Sequence, residues 1–344
     1  MSTDDLTAAR RDNGGSSQAA LGRGLRSRTF YQPLQPPPAP RLVPEMRADE
    51  ALQLLGRHQL GKLLAAQSGV VLDLHPEHVH DFRVAVRRTR SLLGQLRSVL
   101  LADVQRHFDL EFRWLADETG RTRDLDVLLE ALEGYAPWVS ADLRGGLPDI
   151  SRHLITLRRD AHAHLVDVLE SDRYRMLVRE WQAFLAAPLP YVPLTEDAGR
   201  SVADVAHGRI GHKVRRIFGR RGRIDADVAA ADLHRLRIEF KKLRYLVEFF
   251  RDLYPAELVD EVIAELKRIQ DGLGSINDRR VHHAMLMELA RSPGELAGSP
   301  RALVAMGEVM RALTERLVDD RRRFAEDFHV FTRKKIRRRY ERLG

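Results

Sequence analysis

Cysteine is absent from the 344 residues, which excludes a disulfide framework, a thiolate zinc site and a cysteine nucleophile. That absence fits a reducing compartment. No apolar run reaches the roughly eighteen residues that a membrane-spanning helix needs, and the N-terminus lacks the hydrophobic core of a secretory signal. A cytoplasmic protein without a membrane span is the expectation. Glycine-rich phosphate loops of the P-loop pattern are missing, nothing marks a Ser or Thr nucleophile, and no motif asks for a cofactor.

What the chain has in excess is positive charge. Its 57 Lys and Arg against 49 Asp and Glu give a formal net charge of +8, a balance that favours a polyanionic partner. Arginine dominates, and its planar fork of donors matches phosphate oxygens better than an ammonium does. Residues 1–44 are rich in Ser, Gly, Gln and Pro, including Gln35-Pro36-Pro37-Pro38-Ala39-Pro40, which predicts a disordered or extended arm outside the core. From Met46 onward apolar residues recur at spacings of three and four, the amphipathic helix signature, and strand signals are scarce.

The expected fold is therefore all-α. Helices are predicted near 46–69, 77–101, 103–119, 122–133 and 148–186, the last broken near Ser171, then near 197–218, 229–253, 256–273, 277–290 and 301–343. The segment Pro188-Leu-Pro190-Tyr-Val-Pro193 is the best boundary, dividing a first bundle at 45–190 from a second at 191–344.

A histidine-headed basic pattern occurs in each half. His80, Arg83, Arg87, Arg88 and Arg90 are matched by His234, Arg237, Lys241, Lys242 and Arg244, every pair 154 positions apart. At about 100° per residue the histidine and the basic residues three, seven and ten positions on share one stripe of a helix. That stripe borders the apolar face formed by Phe82, Val86 and Leu93 in one copy and Leu236, Phe240 and Val247 in the other. Asp81 and Glu239 project away from it, so no carboxylate on the stripe itself offsets the mutual repulsion of its cations. A solvated face paired with carboxylates from neighbouring helices is the ordinary explanation for one such run. Two copies matched in type and spacing favour a site for a polyanion.

The same interval relates Leu115-Ala-Asp-Glu-Thr-Gly120-Arg-Thr-Arg123-Asp124 to Ile269-Gln-Asp-Gly-Leu-Gly274-Ser-Ile-Asn277-Asp278. A glycine followed four residues later by an aspartate predicts a helix stop and the first turn of the next helix in both halves.

On these residues the chain resembles the CHAD family, the conserved histidine α-helical domains, whose repeats carry a His-x-x-Arg-x-x-x-[Arg/Lys]-[Arg/Lys]-x-Arg helix. The match covers roughly residues 45–344, and Leu236 to Tyr245, Gln270-Asp271 through Gly274, and Asn277-Asp278 are its most typical segments. The resemblance implies two pseudo-symmetric helical bundles whose basic helices line a central groove or pore that binds inorganic polyphosphate. Carried over residue by residue, the ligands would be His80, Arg83, Arg87, Arg88, Arg90, His234, Arg237, Lys241, Lys242 and Arg244. His58 and Lys62, which stand at the repeat interval from His212 and Arg216, are secondary candidates together with Arg209 and Lys213. Arg121, Arg123, Arg268 and Arg279 could extend the set. Some members follow a triphosphate-processing domain of the CYTH type, for which 44 residues leave no room; a stand-alone binding module, on its own or at a storage granule, is expected.

Three other constellations compete. His75-Pro-Glu-His78-Val-His80 invites a metal reading, but at the repeat interval His75 and His78 meet Ala229 and Asp232, so no functional metal is expected. His80-Asp81 resembles the dipeptide of HD-class metal-dependent phosphohydrolases, yet its second copy reads His234-Arg235. The run from Arg333 to Arg339 could neutralise a nucleic-acid backbone, but only Phe331 and Tyr340 stand near it for stacking. Polyphosphate binding without catalysis leads; nucleic-acid or nucleoid binding and metal-dependent phosphohydrolysis are the alternatives.

Overall fold

The three-and-four spacing of apolar residues becomes helix throughout the computed structural model, which describes residues 35–344. Among these residues the only β-type pairing is a single bridge, Arg47 to Ser201. In chain order the helices are α1 Ala48–Val71, α2 Pro76–Gln95, α3 Ala102–Glu118, α4 Gly120–Leu132, α5 Leu147–Glu170, α6 Asp172–Ala186, the single turn α7 Glu196–Gly199, α8 Val202–Phe218, α9 Ala230–Phe249, α10 Ala256–Arg291, α11 Pro300–Phe331 and α12 Lys334–Tyr340.

Local chemistry accounts for many of these limits. His75 caps α2, its Nδ1 accepting the Glu77 N–H at 3.2 Å, and Pro76 occupies the first turn, where its missing N–H costs nothing. Ser171 ends α5 and caps α6 by accepting from Tyr174 N–H at 3.3 Å, at the break expected from the sequence.

The expected stop at the repeated glycine holds in the first half, where α3 ends at Glu118 and α4 begins at Gly120 with Thr119 between them, and is corrected in the second, where α10 runs unbroken through Gly274. Neither Gly120 nor Gly274 adopts positive φ, and Leu273 and Ile276 are buried on either side of Gly274, so burial of the apolar face outweighs the weak helix propensity of glycine there. A break absent from the sequence reading falls at Thr332, between α11 and α12.

The interval of 154 recurs in the helix starts: 48 and 202, 76 and 230, 102 and 256. Where the two halves enter, Ala48 N–H donates to Arg200 O at 3.0 Å and Val202 N–H donates to Met46 O at 2.7 Å. Each bond is the other with the halves exchanged.

The core does not divide at residue 190. One apolar cluster joins α1, α2, α3 and α6 to α8, α9, the first part of α10, the end of α11 and α12. A second joins α4 and the start of α5 to the end of α10 and the start of α11. Phe82, Val86 and Leu93 lie in the first cluster with Leu236, Phe240 and Val247, all at most 1% exposed, as the stripe geometry required. The core also reaches back before residue 45. Leu42 is buried in the first cluster, its N–H donating to Asp252 at 3.1 Å. Residues 1–34 of the expected arm lie outside the described residues.

Candidate functional site: two converging basic helices

Helices α2 and α9 are amphipathic with different partners for each face, and burying their apolar sides brings their basic stripes together. At the centre Arg87 Nε donates to the Tyr245 hydroxyl at 2.7 Å, across 158 positions of sequence. The charge of Arg87 acts on both Arg237 and Lys241. Arg88 reaches from α2 to Glu248 on α9 at 2.6 Å, and its guanidinium lies over the Tyr245 and Phe249 rings at 5.3 and 5.2 Å. Glu248 also meets Arg244 at 3.6 Å.

Lys241 shows how electropositive this centre is. Burial, then the neighbouring Arg237 and Arg87, push its ammonium down to about 7, against a partial counter-effect of Asp278. Burial also lowers Arg83 and Arg237, and lowers His80, where Arg123 adds to the effect. Crowded, half-buried cations are destabilised relative to water, and an arriving anion reverses that.

Neighbouring helices supply carboxylates that the stripe lacks. Asp124 on α4 faces Arg83, and Asp278 on α10 faces Arg237 and Lys241. Expected from sequence as helix-capping groups, these aspartates instead partly offset the two stripes. Burial raises Asp124 despite the nearby Arg83, and Asp278 pushes it in the same direction. The repeat interval was the signal that could have found them, since both stand at matched positions beside matched arginines.

The remaining sequence-derived candidates divide. Arg83 Nη1 donates to Ala116 O at 3.1 Å and Thr119 Oγ1 at 2.9 Å, so it also closes the end of α3. Arg90, Arg237 and Arg244 each bury an Nε donor without an acceptor among the described residues. His58 and Lys62 join the site, because the charge of Arg88 acts on both. Lys213 and Arg216 hold Glu239 at 3.0 and 3.2 Å, and Lys242 acts on that pair. His212 is exposed beside Lys213 and Arg216. His234 is exposed in a shallow cleft with Arg237, Asn277 and Arg280, so the two histidines head their stripes in unlike surroundings. Arg209 stands apart from both stripes. It pairs with Asp197 at 3.5 Å and bonds Ser98, which is a packing role.

The metal reading changes its members. His75 is the α2 cap and His78 packs over Gly69; Glu77, His80 and Asp81 instead bring ligand atoms within 4.8 Å of one another. The corresponding residues of the second half are Ala231, His234 and Arg235, and Arg123 and Arg87 set positive charge beside His80. Within the C-terminal run, Arg339 binds Glu261 at 2.9 Å and also Glu265, which ties α12 to α10, while Arg337 pairs with Glu341 one turn on at 2.8 Å.

No helix among the described residues is long and apolar enough to cross a membrane. No curated protein matches the chain. The solved CHAD domain from the plant Ricinus communis is 26% identical, with a match covering 86% of this chain and 97% of that one at a TM-score of 0.71. PptA from Streptomyces chartreusis is 18% identical over 82% of this chain and 99% of its own, with a TM-score of 0.60, a likeness of fold alone. The CHAD domain pattern itself matches residues 55–287, and with this all-helical architecture the chain belongs to the CHAD domain family.

Proposed function

We propose that this is a cytoplasmic protein that binds inorganic polyphosphate in a basic groove between α2 and α9, without catalysing its breakdown. The observation that carries the reading is the convergence of Arg87, Arg237 and Lys241, cations from both halves, with the charge of Arg87 lowering both Arg237 and Lys241. A chain of phosphates relieves that repulsion along its whole length. The exchangeable bonds at Ala48 and Val202 support a two-fold relation between the halves, which would present equivalent cations to a polymer that is itself the same in both directions. Half-buried arginines suit a thin flexible chain better than a duplex, which favours polyphosphate over nucleic acid. A storage granule is the natural place to meet such a polymer.

Multivalent pairing of this kind releases counterions. With about six phosphate contacts, affinity should fall roughly 10²–10³-fold between about 50 and 200 mM salt, and it should rise with chain length until the groove is spanned. Titration with polyphosphates of defined length, with duplex DNA as competitor, measures both. Equal affinity for short and long chains would sink the groove reading, and preference for DNA would favour the nucleic-acid alternative. Phosphate release on adding a divalent metal would instead support a hydrolase built on Glu77, His80 and Asp81.

Lys241 makes binding depend on pH. Its pKa near 7 in the free protein rises when bound phosphate charge offsets the neighbouring arginines, so the complex holds more protons than the free protein. Affinity therefore falls as pH rises above about 7, and calorimetry in buffers of different ionisation enthalpy should show proton uptake. Lys241→Arg, charged throughout, should flatten the profile. The same lowered pKa makes the unbound protein gain stability as pH rises from about 7 toward the ordinary lysine value of 10.5, since the unfolded chain binds the extra proton there.

A further inference from the structure

The second half carries a feature that the first does not. Helix α8 stops at Phe218, seven residues short of the position equivalent to the end of α1, and the chain turns through Gly222 at φ +74 before α9 begins. The early stop opens a cavity of about 480 Å³ lined by Arg215, Arg216, Arg220 and Arg223, with Val228 and Asp232. That volume suits a small ligand.

In the first half the equivalent positions are Gly61, Lys62, Ala66 and Gly69. There the space is filled, because Pro37 packs directly over Gly61 and His78 over Gly69, and a side chain at either glycine would collide with them. Four arginines thus stand where the other copy has one lysine and a packed surface. They are also poorly compensated. Asp232 meets Arg220 at 3.6 Å but is engaged more closely by Arg235 at 2.6 Å, and Arg216 shares Glu239 with Lys213. Among the described residues, neither Arg215 nor Arg223 forms an ion pair with any carboxylate.

Two features could make such a cluster purely structural. Arginines in the last turn of α8 complement the negative end of the helix, which explains Arg215 and Arg216 but not Arg220 and Arg223 beyond it. Solvation of a flat surface would explain all four, but these surround a cavity. Planar guanidinium groups arranged about one space are suited to bidentate capture of phosphate oxygens.

We propose that this cavity is a second phosphate site, distinct from the paired stripes, that takes a short run of linked phosphates. Lys242, Lys213 and Arg216 connect it to the α9 stripe, since Glu239 holds the latter two and Lys242 acts on that cluster. The end of a polyphosphate chain lying along α9 is its natural occupant. That last step rests on the proposed function; capture of a short oligophosphate does not.

Tripolyphosphate titration decides it. A protein with Arg87→Ala, Arg237→Ala and Lys241→Ala lacks the stripe centre and should still bind tripolyphosphate at one site. Adding Arg215→Ala and Arg223→Ala should abolish that binding, and in the otherwise unaltered protein the same pair should weaken long-chain polyphosphate about tenfold and shallow its salt dependence. Circular dichroism checks the fold, and Arg215→Glu with Arg223→Glu should repel the ligand outright. Loss of tripolyphosphate in the stripe variant, or binding indifferent to Arg215 and Arg223, overturns the second site. Failure of the unaltered protein to bind long chains would overturn the groove while leaving the tripolyphosphate test of this cavity intact.

Discussion

Replacing Arg83, Arg87, Arg237 and Lys241 together by Ala should lower affinity for long-chain polyphosphate by more than about 10³-fold, since each lost charge-assisted contact is worth about 1.5–3 kcal/mol. The effect is large because Arg87, Arg237 and Lys241 sit where the two stripes meet, and removing the four cations takes away contacts from both halves at once. Helical content should survive, with one qualification from the geometry. Arg83 also binds Ala116 O and Thr119, so its loss loosens the junction of α3 and α4. The triple replacement that spares Arg83 separates the two effects: it keeps that junction and should still lose most of the affinity. Relieving the crowding at Lys241 should leave the unbound triple variant at least as resistant to urea as the parent. Retained long-chain affinity in both variants would move the main site elsewhere, first to the arginine cavity and then to the exposed part of the C-terminal run.

Trp181→Ala should destabilise the protein by about 3–5 kcal/mol, the usual range for removing a fully buried large aromatic side chain. Trp181 is fully buried at the centre of an aromatic group. Its ring stacks on Phe184 at 5.4 Å and meets Phe108 and Phe112 edge-on at 4.6 and 5.6 Å. Gly56 on α1 lies beneath it, and a side chain there would meet the indole, so the α1–α6 contact is shaped to this ring and does not collapse easily around an alanine. The indole N–H meets no acceptor among the described residues. Trp181→Phe therefore sacrifices no hydrogen bond and should cost distinctly less. Urea unfolding of the three proteins tests the ranking, and a phenylalanine variant as damaged as the alanine one would show that the nitrogen has a hidden role. Polyphosphate affinity of the folded fraction should be unchanged, because the ring neighbours of Trp181 are Phe108, Phe112 and Phe184, none of them on α2 or α9.

Much of this molecule was legible in its sequence because the relevant signals are local. Spacing of three and four marks a helix wherever it occurs, so the stripes of α2 and α9 and the buried partners Phe82, Val86, Leu236 and Phe240 could be placed without a fold. Repetition at a constant interval likewise needs only counting, and the helix starts preserve it. The break near Ser171, which in the structure separates α5 from α6, was readable for the same reason. Where the sequence misled, a local rule met a stronger tertiary one. Gly274 is a weak helix former, but the buried residues of α10 carry the helix through it. The partners of Arg209, Asp197 and Ser98, come from positions that no local rule brings to it.

The sequence by itself determined the helical class, the duplication and the basic character of two helix faces. Tertiary structure alone decided that Arg87 reaches Tyr245, that Asp124 and Asp278 stand opposite the stripes, that Lys241 is driven near neutrality, and that the short α8 opens an arginine-lined space. Helical periodicity follows from bonds between residues three or four apart, whereas the electrostatics of a site depends on distances between groups that packing brings together from far along the chain.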